Sequence, residues 1–140
     1  FFEPGDQPVV AKTPFGNIGM MVCYDLRFPE LALTLRAQGA RILTAPAAFT
    51  YTTGQMHWQL LLQARAMDTQ CDVLGAAQQG WHGEKRQTWG HTGATNSRGQ
   101  LLQMIQDEGA GLITIEFNAK EQDQIRASMP LMQHRRLISF

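Results

Sequence analysis

Three consecutive segments constrain the fold more than any other part of the chain: an apolar run, a proline-opened amphipathic stretch and a second apolar run. Ile18–Val22 is apolar and partly β-branched, which reads as a buried strand. Pro29 and Glu30 open a helix, because proline loses no hydrogen bond in the first turn and a carboxylate suits the positive end of the dipole. Leu31, Ala32, Leu33 and Leu35 give that helix its apolar side, and Gly39 ends it. Arg41–Thr44 returns as a second strand. Strand, helix and strand at this spacing form a βαβ unit, whose ligands sit outside the carboxyl ends of its parallel strands.

Cys23 follows the first strand at once, and Tyr24-Asp25-Leu26-Arg27 turns polar directly after it. A thiol in a strand-to-helix turn sits among backbone N–H groups that can hold a developing oxyanion. Ala45-Pro46-Ala47-Ala48-Phe49 runs out of the second strand, so that loop and Cys23 face one crevice. On residues alone Cys23 serves equally as a nucleophile or as a small core hydrophobe, whereas Cys71, between a helix and a strand, reads as core.

The remaining segments order themselves around that unit. Pro4-Gly5-Asp6 is a turn, Pro8–Ala11 is extended, and Thr13-Pro14-Phe15-Gly16-Asn17 breaks the chain before the cysteine strand, which makes a hairpin with Lys12 solvated near its tip. Gln55–Gln70 is a long helix started by Thr52-Thr53-Gly54. Its two apolar stripes, Trp58, Leu61, Leu62 and Ala66, and Leu60, Ala64 and Met67, require cover on two sides. Asp72–Ala77 reads as a strand, Gln78–Thr88 as a polar loop, Trp89–Asn96 and Leu101–Ile105 as a hairpin turning at Asn96-Ser97-Arg98-Gly99, and Gly111–Phe117 as a further strand after Asp107-Glu108-Gly109. Asn118 caps a last helix to about Ala127, and Pro130 closes it into an extended tail.

Composition excludes several classes of function. Twelve basic and twelve acidic residues leave no net charge to recruit nucleic acid or an acidic membrane surface, so a small molecule or another protein is the expected partner. No apolar run reaches the ~20 residues of a membrane span. Two cysteines make no disulfide framework, which points to a reducing, cytoplasmic compartment. His57, His82, His91 and His134 lie on four separate segments without metal-ligand spacing, so neither a metal nor a cofactor is expected. His57 and His91 read as structural histidines.

Cys23-Tyr24-Asp25-Leu26-Arg27-Phe28-Pro29-Glu30, preceded by Pro4-Gly5-Asp6, resembles the nucleophile motif of the nitrilase superfamily of carbon–nitrogen hydrolases. Pro46-Ala47-Ala48-Phe49, His57-Trp58, Gln63-Ala64-Arg65-Ala66-Met67-Asp68-Thr69-Gln70, Gly90-His91-Thr92 through Gly99, and His134-Arg135-Arg136 match in the same order. Ala77-Gln78, His82-Gly83-Glu84-Lys85-Arg86 and Gly90-His91-Thr92 look most like the branch of deaminated glutathione amidases, with omega-amidases and other aliphatic amidases as the alternative.

The resemblance implies an α/β fold, an αββα sandwich that dimerises through helices on one face, and amide hydrolysis through a thioester. Cys23 would be the nucleophile, the Tyr24 backbone N–H an oxyanion donor, and Ala47, Ala48 and Phe49 the substrate-binding wall. The family's catalytic glutamate and lysine, with a supporting glutamate, lie upstream of the Pro-Gly-Asp turn, and neither Glu3 nor Lys12 matches them. Residues 1–140 are therefore expected to be the C-terminal portion of one carbon–nitrogen hydrolase domain, inactive alone. An acyltransferase of the same superfamily and a non-catalytic binding module are the rival expectations.

Overall fold

A computed structural model describes residues 3–106 and 109–137. Six strands form one sheet in the order β1-β2-β3-β4-β7-β8, where β1 is Val9–Ala11, β2 Ile18–Met20, β3 Ile42–Thr44, β4 Asp72–Gly75, β7 Gly93–Thr95 and β8 Leu101–Met104. β2, β3 and β4 are parallel, with Met20 beside Thr44 and Thr44 beside Leu74, while β1 and the β7–β8 hairpin flank them antiparallel. The βαβ expectation holds: α1 (Pro29–Ala37) carries the crossover and buries Ala32, Leu33 and Leu35.

α2 (Tyr51–Thr69) packs on β4, β7 and α1, with Trp58 and Leu62 fully buried against Leu43 and Val73 in one core. It begins before the expected Gln55, so that Thr52-Thr53-Gly54, read as the segment that starts the helix, lies inside it. Contact explains this: a Cβ on Gly54 would stand 2.1 Å from Cβ of Trp89, so only glycine lets the helix pass that side chain.

The stretch expected as a polar loop is instead a two-stranded hairpin, β5 (Gln79–His82) and β6 (Arg86–Trp89). The strand expected over Trp89–Asn96 is broken, because Gly90 and His91 hold left-handed φ values of 70° and 62° that no strand can continue through. Residues 111–117 form no strand among the described residues, although Ile113, Ile115 and Phe117 are half-buried while Leu112, Thr114 and Glu116 are exposed. Alternation reports an extended, half-buried chain; a strand also needs a hydrogen-bonded neighbour. Asp107 and Glu108 of the expected turn lie outside the described residues.

α3 (Ala119–Ser128) starts as expected at Asn118, whose side-chain oxygen accepts from the Glu121 N–H at 3.0 Å. It is latched to the sheet by polar contacts. Arg126 donates to the carbonyls of Gln70 and Ala40 and to Sγ of Cys71, and burial pulls its guanidinium down to about 10. Cys71 is thus a buried thiol inside a polar latch, its pKa pushed up by desolvation. The expected extended tail is interrupted by a single helical turn, α4 (Leu131–His134).

Candidate active site

The parallel ladder runs past the ends of its strands and delivers Cys23. Met21 N–H donates to Thr44 O at 2.9 Å, Cys23 N–H to Pro46 O at 2.8 Å and Ala47 N–H to Ala76 O at 2.8 Å, so the cysteine lies at the carboxyl edge of β2, β3 and β4. There the chain leaves its extended course. Cys23 takes a left-handed φ of 48° and starts a 3-10 helix over Cys23–Arg27. A non-glycine residue held in that region is strained, and such strain persists where its surroundings over-determine it.

Those surroundings are specific. The Val22 N–H donates to Oδ2 of Asp25 at 2.8 Å and the Asp25 N–H to Val22 O at 3.0 Å, which pins the turn from both sides. Arg27 lies over the rings of Tyr24 and Phe49, at 5.6 and 5.5 Å from their centroids, and donates to Nδ1 of His57 at 3.3 Å. That contact makes Nδ1 an acceptor and gives His57 the structural role expected of it. The cysteine's own N–H is spent on Pro46, whereas the Tyr24 N–H has no acceptor among the described hydrogen bonds.

Cys23 opens on a pocket of about 570 Å³ whose other walls are Val22, Pro46, Ala47, Ala48, Ala76, Ala77, Gln78 and Thr92. Ala47 and Ala48 therefore stand beside the thiol. Phe49 does not: it is buried edge-to-face on Trp58 at 5.2 Å, where a phenyl ring displaces more water than at the rim. Pro46, Ala76, Gln78 and Thr92 join the site without having been assigned to it from the sequence, where Pro46, Gln78 and Thr92 stood only as parts of the family motifs. Ala76 and Ala77 follow β4, so the rule that ligands gather at the carboxyl ends of parallel strands would have found them. None of the lining residues is acidic or basic. No group of three or more His, Cys, Asp or Glu among the described residues is placed to hold a metal ion. No helix among them is long and apolar enough to cross a membrane.

A larger cavity of about 940 Å³ adjoins this pocket and shares Ala77, Gln78 and Thr92 with it. Its walls include Tyr51, Trp81, Trp89 and His91, so the β5–β6 hairpin, unforeseen in the sequence, forms its side. Trp81 and Trp89 on either side of the glycine-bearing turn at Gly83 were the available signal.

Comparison with known proteins identifies the family and the fold. The carbon–nitrogen hydrolase family model matches residues 1–127. The chain belongs to the carbon–nitrogen hydrolase family. It is 48% identical over 138 residues to the deaminated glutathione amidase of Yersinia enterocolitica, a match covering 99% of this chain and 48% of that protein. A Saccharomyces cerevisiae member of branch 10 of the nitrilase superfamily superposes with a TM-score of 0.88 at 32% identity, covering 96% of this chain and 49% of its own. An amidase from Nesterenkonia sp. AN1, whose active-site cysteine carries the acetamide moiety of fluoroacetamide, superposes with a TM-score of 0.66 at 29% identity, covering 74% of this chain and 39% of its own. The chain thus spans about half the length, or less, of the relatives it matches.

Proposed function

We propose that this chain carries the nucleophile and one pocket wall of a thiol-dependent amidase, with deaminated glutathione, named in its relatives, as the substrate it fits best. The observation that carries this reading is Cys23 in a strained turn at the carboxyl edge of three parallel strands, next to an unclaimed Tyr24 N–H. Cys23 attacks the amide carbon, and the Tyr24 N–H takes the hydrogen bond of the carbonyl oxygen as charge builds on it. The C–N bond then breaks, the amine leaves with a proton, and water cleaves the thioester to acid and free thiol.

Proton transfer in those steps needs an acid and a base that the pocket wall does not contain. In the family resemblance a glutamate and a lysine outside these 140 residues supply them, so the isolated chain hydrolyses amides far more slowly than an intact enzyme. The same lack of acidic and basic side chains favours a second reading, a binding module that holds amides without cleaving them. We assign the assembly as a homodimer through the outer stripe of α2, where Met56, Leu60 and Met67 are exposed.

An activated ester separates the readings, because its leaving group departs without protonation. Mixing the chain with p-nitrophenyl acetate should give a burst of one p-nitrophenol per chain and an acetyl group on Cys23 by mass spectrometry. Cys23→Ala should abolish both. A burst that survives Cys23→Ala sinks the nucleophile assignment, and enzyme-like turnover of amides by these 140 residues sinks the account of the missing acid and base.

A further inference from the structure

We propose that His57, on α2 and outside the cysteine pocket, positions the oxyanion donor through Arg27. The imidazole holds the guanidinium, the guanidinium holds the far end of the Cys23–Arg27 turn, and the Tyr24 N–H keeps its direction. This role presupposes the amidase reading and adds a residue to it. The turn needs support of this kind, because Cys23 keeps a left-handed φ of 48° that a non-glycine residue gives up unless its neighbours forbid the relaxation. Its near end is fixed locally by the two hydrogen bonds between Val22 and Asp25. Those bonds leave the Tyr24 side chain, 64% exposed, without a core to rest on. Its ring meets Phe28 edge-on at 5.5 Å and the Arg27 guanidinium at 5.6 Å. Phe28 is itself 45% exposed, so Arg27 is what ties Tyr24 to the body of the molecule.

Arg27 reaches that body at two points. Its guanidinium lies 5.5 Å from the centroid of Phe49 and donates to Nδ1 of His57 at 3.3 Å. Both points are held by Trp58. Phe49 packs on the indole at 5.2 Å, and His57 precedes Trp58 in α2. Trp58 in turn is fully buried, with its indole N–H on the carbonyl of His91 at 2.7 Å. The two contacts do different things. A ring face attracts a cation over a broad area, whereas an N–H···N bond sets the orientation of the planar guanidinium fork. The imidazole therefore decides where Arg27 sits, although it touches no reacting atom.

Two reagents that modify Cys23 by different routes test this on the full chain, with mass spectrometry reading both rates at Cys23. p-Nitrophenyl acetate reacts when the thiolate sulfur attacks the carbonyl carbon, charge gathers on the carbonyl oxygen and p-nitrophenolate leaves. Iodoacetamide reacts when the sulfur displaces iodide from a methylene carbon, and no oxyanion forms. Both need the thiolate, so the ratio of acylation to alkylation reports the oxyanion donor and not the reactivity of the sulfur. His57→Leu, which fills the space without an acceptor, should lower the ratio about tenfold, the worth of one hydrogen bond from a charged donor. That is less than the roughly hundredfold or greater loss that follows deletion of an oxyanion donor. His57→Asn, whose Oδ1 takes the place of Nδ1, should restore most of the ratio. Arg27→Met should lower it at least as much as His57→Leu, and adding His57→Leu to Arg27→Met should lower it no further, because both act through one contact. Should His57→Leu fail to fold by circular dichroism, the Arg27→Met ratio decides. A ratio unmoved in a folded variant, a ratio that Asn does not restore, additive falls in the double variant, or equal falls in both rates overturns the positioning role. If Cys23 of the unsubstituted chain takes iodoacetamide but no acetyl group, the nucleophile reading fails and the positioning role with it.

Discussion

A Cβ on Gly75 would stand 2.5 Å from Cζ2 of Trp58 and 2.9 Å from Cδ2 of Leu62. Both neighbours are fully buried, and Trp58 is tied by its indole N–H to the carbonyl of His91, so neither has room to retreat. Gly75→Ala should therefore destabilise the fold by about 1–3 kcal/mol, as overpacking of a close-packed core does. It should also disturb the second cavity through Trp58 and His91. Urea unfolding followed by tryptophan fluorescence checks this, and an unchanged midpoint would show that the core can relax there. At this scale the sequence was legible where local chemistry decides. Cys23 and the Ala47-Ala48 wall follow from an apolar run ending in polar residues and from the loop after the next strand. Phe49 was expected on the pocket wall and His91 within a strand, and tertiary contacts decide both: Trp58 captures the phenyl ring and binds the His91 carbonyl, and Trp89 stacks on the imidazole.

Among the elements, α3 shows what polar docking does to a buried acid. Asp72 at the start of β4 is buried, accepts from the Ser97 backbone and the Gln122 side chain, and has its pKa raised, with desolvation the leading cause. A raised folded value means that the protonated form suits the fold. Its stabilising contribution is complete below the unfolded value of about 4 and is lost as pH rises through the folded one. Asp72→Asn removes that titration. The unsubstituted chain should lose stability relative to Asp72→Asn as pH is raised from about 4, with the gap levelling off once Asp72 is ionised. Parallel denaturation curves across that range read it, and a constant gap would show that the carboxylate is not desolvated. The strand–helix–strand core and the Asn118 cap were readable because their signals are local. The β5–β6 hairpin was hidden by its polar composition, and the break at Gly90-His91 by an alternation that continues into the left-handed turn.

On the whole molecule, strand register places Val9, Met20, Thr44 and Leu74 side by side across four strands, on the face away from the Gly19–Leu43–Val73 layer that meets the helices. Val9 and Met20 are 52% and 53% exposed, and Val22 continues the same face at 60%. An apolar sheet face of this kind associates with others in water, so the chain should self-associate with rising concentration. The outer stripe of α2, with Met56, Leu60 and Met67, is a second apolar surface on the opposite side of the molecule's helical layer. The two surfaces give different behaviour. Contact through the helix stripe closes with two copies, whereas added contact through the sheet face lets the chain grow further. Met20→Lys should therefore suppress open-ended association and leave a dimer, while Met67→Glu should weaken the dimer. The double variant should sediment as a monomer. Sedimentation velocity over a hundredfold concentration range distinguishes these outcomes, and a single monomeric boundary for the unsubstituted chain at every concentration would mean that neither surface drives assembly.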